Sequence, residues 1–274
     1  MKRIITTLLV LLLLAAAGSS WAASKEEQKM QDAIAVIHDF VNIPENAIPP
    51  SLLSDAYGIA VIPNVLKAGF IIGGRYGTGV LSVRTPDGSW SHPVFIHMGG
   101  ASLGWQIGAS STDIILVFKT QRGIDGIING EITLGGDASI AAGPVGRSAS
   151  AATNLQLNSE IYSYSRSRGL FAGIALDGGV INIDRSATSR YYQGDADIMT
   201  ILRSSDLSQL PKTGQRFVYT LNAYMPALHD DEWPVPYGHT GDSTTQSSSG
   251  AQPTGGSNGY GDSSSLDIRP YDSR

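Results

Sequence analysis

One pentapeptide of the chain, Gly100-Ala101-Ser102-Leu103-Gly104, has the G-x-S-x-G pattern of a serine hydrolase nucleophile elbow. That chemistry needs a strand, a strained turn and a helix around the serine, and then an acid and a histidine further along the chain. No helical pattern follows the pentapeptide, and the histidines downstream of it, His229 and His239, lie near the end of the sequence. Because the chain has 32 glycines, the pattern arises easily by chance. We therefore expect no enzymatic activity, and a serine hydrolase is only the third alternative.

Metal and cofactor chemistry is not indicated either. His92 and His97 are five positions apart in a strand-like pattern, so their side chains fall on opposite faces. The cluster His229-Asp230-Asp231-Glu232 is more typical of a solvated acidic loop than of a ligand set. Glycine-rich stretches join strands to strands here, which does not favour a nucleotide phosphate cradle. The sequence predicts no metal and no cofactor.

Arginines and tyrosines offer a different chemistry, the binding of an anionic group. Arg166 and Arg168 are two residues apart, so on a strand they share one face, beside Tyr162 and Tyr164. Guanidinium groups match phosphate oxygens in pairs, and tyrosine suits a lipid–water interface. The alternative is that these arginines form structural ion pairs with aspartates, for which the candidates are Asp113, Asp137 and Asp177.

Composition narrows the class of protein. The chain has 274 residues, a formal net charge of −5 and only 16% charged residues. Such a balance disfavours coiled coils and nucleic-acid binding, which need dense or clustered Lys and Arg. The absence of cysteine from the sequence excludes disulfides, thiolate metal sites, a cysteine nucleophile and a lipoprotein anchor on cysteine.

The two ends of the chain have compositions unlike the middle. Met1-Lys2-Arg3 precedes an apolar run and then small residues up to Ala23, which predicts a secretory signal peptide at residues 1–22. Residues 238–274 are rich in Gly, Ser and Thr and cannot bury enough apolar area to fold, so we expect a disordered tail. A slightly more apolar peptide within it, Leu266-Asp267-Ile268-Arg269-Pro270-Tyr271, is a candidate docking segment for a protein partner.

The elements that must position these residues follow from periodicity. Residues 25–41 carry apolar residues at helical spacing, among them Met30, Ile34 and Ile37. Residues 57–184 have strand-like patterns, including a continuous apolar run at 114–118 that predicts a strand covered on both faces. Residues 121–130 fit either a hairpin turn or the end of a helix, and residues 195–202 predict a short helix capped by Asp195 or a neighbour.

Glycines recur inside the strand patterns. The series of Gly69, Gly73 and Gly79 is repeated 100 residues later by Gly169, Gly173 and Gly179, which suggests two similar glycine-kinked strand pairs. Glycines repeated within strands fit strongly coiled strands that curl towards a barrel. The predicted fold is α+β, mainly β: a strongly curled, antiparallel, glycine-rich sheet or barrel-like core with an N-terminal helix and peripheral short helices.

Several motifs, in this order along the chain, resemble those of the SYLF domain family. They are Ala60-Val61-Ile62-Pro63-Asn64-Val65, Gly100-Ala101-Ser102-Leu103-Gly104-Trp105-Gln106-Ile107-Gly108, Leu134-Gly135-Gly136-Asp137-Ala138-Ser139, Ala142-Gly143-Pro144-Val145-Gly146-Arg147 and the segment from Ile161 to Gly173. The resemblance implies a lipid-binding module, which in eukaryotes binds phosphoinositides and, in yeast endocytic proteins, actin. In those proteins an N-terminal amphipathic helix with basic residues engages the membrane. The helix predicted here is net acidic, so the lipid headgroup is not carried over.

The resemblance completes the list of candidate lipid-binding residues, because the family is commonly basic at three further positions. The full list is Lys67, Arg75, Arg147, Tyr162, Tyr164, Arg166 and Arg168. The predicted organisation is a signal peptide at 1–22, an amphipathic helix at 23–42, a SYLF-like domain at 43–237 and a tail at 238–274. The predicted function is non-catalytic binding of a lipid or membrane surface by a periplasmic or secreted bacterial envelope protein. A structural or scaffolding envelope protein that acts through protein partners is the alternative.

Overall fold

The computed structural model of the chain describes residues 24–41, 48–145, 158–167, 170–195 and 197–226, with the backbone alone at 70–72 and 102–109. The predicted signal peptide, the predicted tail with its docking peptide at 266–271, and the candidate residues Arg147 and Arg168 lie outside the described residues. Among the helices of the described ranges, none combines the length and the apolar character needed to cross a bilayer.

The chain enters the sheet through two helices. Helix α1, Lys25–Val41, confirms the helix predicted from apolar spacing, and its Met30, Ile34 and Ile37 are buried. Its first turn has a reciprocal cap, in which the Glu27 N–H donates to Ser24 Oγ (3.1 Å) and the Ser24 N–H donates to Glu27 Oε2 (3.2 Å). The short helix α2, Pro50–Ser54, follows.

Two very long strands form the centre of the fold. Strand β1, Gly58–Val83, has 26 residues and strand β2, Val94–Phe118, has 25. They pair antiparallel over almost their whole length, from Gly58 opposite Phe118 to Leu81 opposite Val94. A flat strand of this length would extend about 85 Å, well beyond the size of such a domain, so the ribbon of two strands has to bend. The sequence predicted glycine-kinked strands over these residues, and the structure joins them into two long strands.

Three glycines of β1 lie where the ribbon folds back on itself. A Cβ atom on Gly79 would be 2.2 Å from the carbonyl oxygen of Val61, and one on Gly73 would be 2.4 Å from that of Ala68. A Cβ atom on Gly77 would be 2.7 Å from Val65 Cγ2. We call the two halves of β1 before and after the fold, and the β2 segments paired with them, the arms of the ribbon. The two arms of β1 therefore approach so closely only because these positions have no side chain. We call residues 66–76 of β1 and the facing residues 99–111 of β2 the ribbon bend.

Five shorter strands complete a seven-stranded sheet among the described residues. They are β3 (Glu131–Thr133), β4 (Ile140–Ala142), β5 (Ile161–Ser167), β6 (Leu170–Gly173) and β7 (Gly179–Ile183). Strand β5 pairs with residues 113–118 of β2 and β7 pairs with residues 96–100. Each arm of the ribbon is therefore part of a wider sheet. The pairing of β4 with β5 is parallel and departs from the fully antiparallel sheet that was expected.

The α+β, mainly β fold with a curled sheet is confirmed. The suggestion of two similar strand pairs is not matched in detail. Gly73 and Gly79 lie in the single strand β1, whereas Gly173 and Gly179 lie in two different strands, β6 and β7.

Helices close the ends and faces of the sheet. They are α3 (Gln121–Asn129), α4 (Arg185–Tyr192), α5 (Ile198–Arg203), a 3-10 turn (Leu207–Gln209) and α6 (Lys212–Tyr224). The ambiguous segment at 121–130 is thus a helix. The predicted short helix begins at Ile198, and its cap is Asp197, whose Oδ2 accepts the Thr200 N–H at 3.0 Å, rather than Asp195.

Each face of the ribbon contributes to a separate apolar cluster. The inner face, towards which the arms fold, carries Ile62, Leu81 and Leu116, and α3 and α5 close this cluster. The outer face carries Val61 and Val80, and α1, α4 and α6 cover it. Side chains alternate between the two faces along a strand, so the register of β1 and β2 fixes which face each candidate residue occupies.

Candidate functional site

Arg166 lies between a helix and the sheet and is paired with two acids. One guanidinium nitrogen, Nη1, bonds the Asp39 carboxylate of α1 and lies 3.8 Å from Asp113 Oδ2 of β2. Its side chain is about three-quarters buried, at 26% exposure. The structural ion pair that the sequence left open, with Asp113, is therefore present. Asp39 was not foreseen as a partner, since it precedes Arg166 by 127 residues and nothing local connects them.

Asp113 connects three elements beneath helix α1. Its Oδ1 accepts the backbone N–H of Asn64 at 3.0 Å, and its Oδ2 faces Arg166 of β5. Burial lowers the pKa of Lys29 on α1, while Asp32 and Asp113 act in the opposite direction. This arrangement of charges holds the helix, the ribbon and β5 together, which is a structural role.

Tyr162 and Tyr164 belong to the outer apolar cluster, at 3% and 0% exposure. The Ser159 N–H donates to Tyr162 Oη at 3.0 Å, and the Tyr164 hydroxyl donates to the Pro144 carbonyl oxygen at 3.3 Å. Burial raises the pKa of the Tyr164 hydroxyl, and its ring stacks on Phe171 with centroids 5.8 Å apart. Both rings are covered by protein, so neither lies on a surface that a bilayer reaches.

Lys67 and Arg75 are brought to one face of the ribbon bend. Lys67 pairs with Ser110 and Arg75 pairs with Gly100, and both positions continue the inner-face alternation of β1. Lys67 is exposed and Arg75 is half-buried. Arg75 Nη2 donates to the Ala101 carbonyl oxygen at 3.3 Å. Of the five candidate residues that the structure describes, these two are the ones that share the inner face of the ribbon bend.

Two large apolar side chains at the ribbon bend were not predicted as site residues. Leu66 is 59% exposed and Tyr76 is 58% exposed, and both lie on the outer face, one on each arm of β1. The β-bulge between Ile62 and Val65, where Asn64 has φ 55°, is the reason for the exposure of Leu66. Without the bulge, Leu66 would share the inner face with Ile62. The pair Pro63-Asn64 is the one local feature of the sequence that indicates this change of face.

The hydrolase-like pentapeptide lies inside strand β2, with strand on both sides of residue 102. A nucleophile elbow needs a turn that leads into a helix, and the backbone here has neither. In the described ranges, no group of three or more His, Asp or Glu side chains is arranged to hold a metal ion.

Comparison with known proteins gives one family and several eukaryotic relatives. Residues 99–224 match the family model Ysc84, described as Las17-binding protein actin regulator. The chain is 41% identical over 161 residues to the SH3 domain-containing protein PJ696.02 of Schizosaccharomyces pombe, covering 58% of the chain and 37% of that relative. It is 42% identical over 154 residues to LAS seventeen-binding protein 3 of Saccharomyces cerevisiae, covering 55% of the chain and 33% of the relative.

A vertebrate relative shows the same pattern. The SH3 domain-containing YSC84-like protein 1 of Xenopus laevis is 36% identical over 172 residues, which is 61% of the chain and 51% of the relative. The chain thus spans between a third and a half of the length of these curated relatives.

The relatives correct the predicted location. They are eukaryotic proteins named for SH3 domains or for binding Las seventeen, and they are not periplasmic or secreted envelope proteins. The prediction of a periplasmic or secreted location is therefore wrong. The resemblance seen in the motifs, by contrast, is confirmed by both the family match and the relatives. The chain is thus similar to the Ysc84/SYLF family, whose model matches its residues 99–224.

Proposed function

We propose that the protein binds anionic lipid surfaces, without catalysis, through its ribbon bend. One observation carries this proposal. Leu66 and Tyr76, two large apolar side chains, are more than half exposed on the outer faces of the two arms of the bend. Exposed Lys67 follows Leu66 along β1, and from the inner face of the same bend it supplies positive charge.

The energetics of such a bend suit a lipid interface. Moving the exposed part of a large apolar side chain out of water contributes about 1 kcal/mol or more. Tyrosine has an apolar ring and a polar hydroxyl, and is therefore enriched at membrane–water interfaces. A lysine close to an anionic lipid surface adds about 1 kcal/mol. Two apolar side chains and one cation give weak, reversible association that depends on anionic lipid.

Helix α1 does not provide this contact. Its apolar side chains, including Met30, Ile37 and Phe40, are already buried against the outer face of the sheet. Its ends are also tied to the domain, since Glu26 Oε1 accepts Arg190 Nε–H at 2.7 Å and Asp39 pairs with Arg166. Releasing the helix towards a membrane would expose this core. The ribbon bend, in contrast, is already exposed.

Binding to a protein partner is the second candidate. It is favoured by the match of residues 99–224 to a family described as Las17-binding and by a relative named for the same activity. Both candidates are binding functions, in keeping with a non-catalytic binding or scaffolding role. The position of the G-x-S-x-G pentapeptide inside a strand supports the absence of serine hydrolase chemistry.

Vesicle co-sedimentation of the full chain tests the lipid proposal. We expect binding to vesicles of phosphatidylcholine mixed with phosphatidylserine, and much weaker binding to phosphatidylcholine alone. The double variant Leu66→Ser, Tyr76→Ser should lower anionic-vesicle binding about thirtyfold, in line with the loss of about 1 kcal/mol from each of two interfacial side chains.

Matched controls are available on other elements. Leu170 of β6 is 78% exposed and Tyr219 of α6 is 59% exposed, so the double variant Leu170→Ser, Tyr219→Ser removes the same side-chain types elsewhere. This control should bind vesicles like the unchanged protein. Equal weakening by both double variants, or no sedimentation with anionic vesicles, would exclude the ribbon bend as a lipid contact and leave the protein-partner candidate.

A further inference from the structure

We infer that Arg75 is the binding residue for a single phosphate-type anion on the inner face of the ribbon bend. This site adds a specific contact to the proposed lipid binding. It rests on the proposed function in one respect, namely that the anion belongs to a lipid headgroup. The chemistry recognised is the same in a lipid headgroup phosphate and in a free phosphate.

The first argument is that the protein leaves most of the hydrogen-bonding capacity of Arg75 unused. A guanidinium group has five N–H donors. Within the described residues, Arg75 makes one long hydrogen bond, from Nη2 to the Ala101 carbonyl oxygen at 3.3 Å, and its buried Nε has no partner. It forms no ion pair with any carboxylate of the described ranges.

The second argument is electrostatic. Half-burial lowers the pKa of the Arg75 guanidinium, and Asp177 offsets this only in part, from beyond ion-pair distance. A partly desolvated cation without a contacting acid is costly, because buried charges are normally paired. An anion bound from solution would remove that cost.

The third argument is that the nearest strand neighbours of Arg75 on its own face offer it no acid. On the inner face, the neighbours of Arg75 along β1 are Gly73 and Gly77, and its partner on β2 is Gly100. None of them has a side chain that could pair with it. The turn before β7 packs against Gly100, since a Cβ atom on Gly100 would be 3.0 Å from the Gly178 carbonyl oxygen.

Arg166 shows what a purely structural arginine looks like in the same fold. It is neutralised by Asp39 and Asp113, which belong to two different elements. Among the described residues, the hydrogen-bond partner of Arg75 is the Ala101 carbonyl oxygen, which carries no charge. A phosphate group presents oxygens that a guanidinium binds in pairs, so it fits the vacant donors. Exposed Lys67, on the same inner face, adds a second positive charge to the approach.

The test follows inorganic phosphate and a soluble short-chain phosphatidate by phosphorus NMR, at constant ionic strength, with the full chain. We expect both resonances to broaden with the unchanged protein. Arg75→Gln should weaken both interactions about tenfold, the loss expected for a charge-assisted hydrogen-bonded pair. Arg216→Gln removes the same charge from the exposed face of α6 and should have no effect.

Thermal unfolding separates binding from a structural role. If Arg75 binds an anion, phosphate should raise the melting temperature of the unchanged protein but not of Arg75→Gln, because a ligand of the folded state stabilises it. Should Arg75→Gln fail to fold, Arg75→Lys keeps the charge and loses the planar fork, and is expected to show the same loss of phosphate effects. Phosphate effects that persist in the Arg75 variants, or that are absent from the unchanged protein, overturn the inference.

The outcomes also separate this inference from the proposed function. In one outcome, Leu66→Ser, Tyr76→Ser loses anionic-vesicle binding, Arg75→Gln keeps it, and the unchanged protein binds no phosphate. That outcome overturns the Arg75 site and retains the lipid surface. Phosphate binding that depends on Arg75, without any vesicle binding, retains the site and overturns the lipid surface.

Discussion

At the scale of single residues, the surroundings decide what an arginine does. Arg166 of β5 and Arg75 of β1 both lie on strands and both are partly buried, but among the described residues only Arg166 has acids at ion-pair distance. The acid that bonds Arg166 comes from helix α1, and the neighbours of Arg75 on its face are glycines. One residue type therefore serves as a structural anchor in one place and as a candidate anion site in another.

His92 is a second residue whose environment has a measurable consequence. It is 5% exposed, and its Nε2 lies 2.8 Å from the Asp206 carbonyl oxygen, which only accepts, so Nε2 carries a hydrogen. Burial lowers the pKa of the ring below its ordinary 6.5, although Asp206 acts in the opposite direction.

This lowered pKa predicts how stability depends on pH. As pH falls below 6.5, the unfolded chain takes up a proton on His92 before the folded protein does, so the free energy of unfolding decreases. Above that pH both states are neutral at this ring and the contribution is fully present. We expect His92→Gln, which can still donate to Asp206, to decline less in mildly acid solution. Urea unfolding at neutral and mildly acid pH measures this, and parallel declines of the two proteins would contradict it.

At the scale of elements, the ribbon of β1 and β2 is shaped by what its glycines lack. The arms pack together where a Cβ atom would collide with backbone, as at Gly79 and Gly73. A bulge at Asn64, held by Asp113, changes the face of the residues that follow, so Val65 is buried and Leu66 is exposed. The exposure of Leu66, one of the two large apolar side chains of the bend, thus depends on this bulge.

Replacing glycines along the ribbon tests this account of its shape. Gly79→Ala should lower the free energy of unfolding by about 2 kcal/mol or more, because its Cβ would lie 2.2 Å from the Val61 carbonyl oxygen and backbone has to move. Gly99→Ala is the matched control, since nothing lies within 4 Å of its Cβ position. It should be neutral or slightly stabilising through the unfolded chain. Similar losses in both variants, measured by urea unfolding, would rule out close packing of the arms as the reason for Gly79.

At the scale of the whole molecule, the same two strands contribute to both apolar clusters. The inner cluster contains Phe118 and the outer cluster contains Val117, which are neighbours in β2. Helices α1 and α6 cover the outer face, and α3 and α5 close the inner one. Neither cluster can lose its strands while the other keeps them, so we expect the described domain to unfold as one unit.

Large-to-small substitutions in the two clusters test this cooperativity. Phe118 and Phe217 are both 0% exposed, one in each cluster. Phe118→Ala and Phe217→Ala should each cost about 3–5 kcal/mol. Each variant should still melt in a single transition that circular dichroism and tryptophan fluorescence report at the same temperature. Two separated transitions in either variant would show that the clusters unfold independently.

Local patterns in the amino-acid sequence were enough to predict several features of this protein. Helical spacing of apolar residues located α1, and the motifs pointed to the family. The sequence also placed Lys67 and Arg75 among the candidates. Apolar spacing and short motifs depend on residues close together in the chain, so the sequence reports them directly, whereas Lys67 and Arg75 entered through the resemblance to the family.

Only the tertiary structure decided which candidates share a surface. It joined Arg166 to Asp39 across 127 residues, buried Tyr162 and Tyr164 in the outer apolar cluster, and left Arg75 with glycine neighbours on its face. It also exposed Leu66, through a bulge that reverses the alternation of faces. The physical reason is the same in each case: pairing and burial are set by contacts between residues far apart in the chain, and a one-residue irregularity in a strand moves every later side chain to the other face.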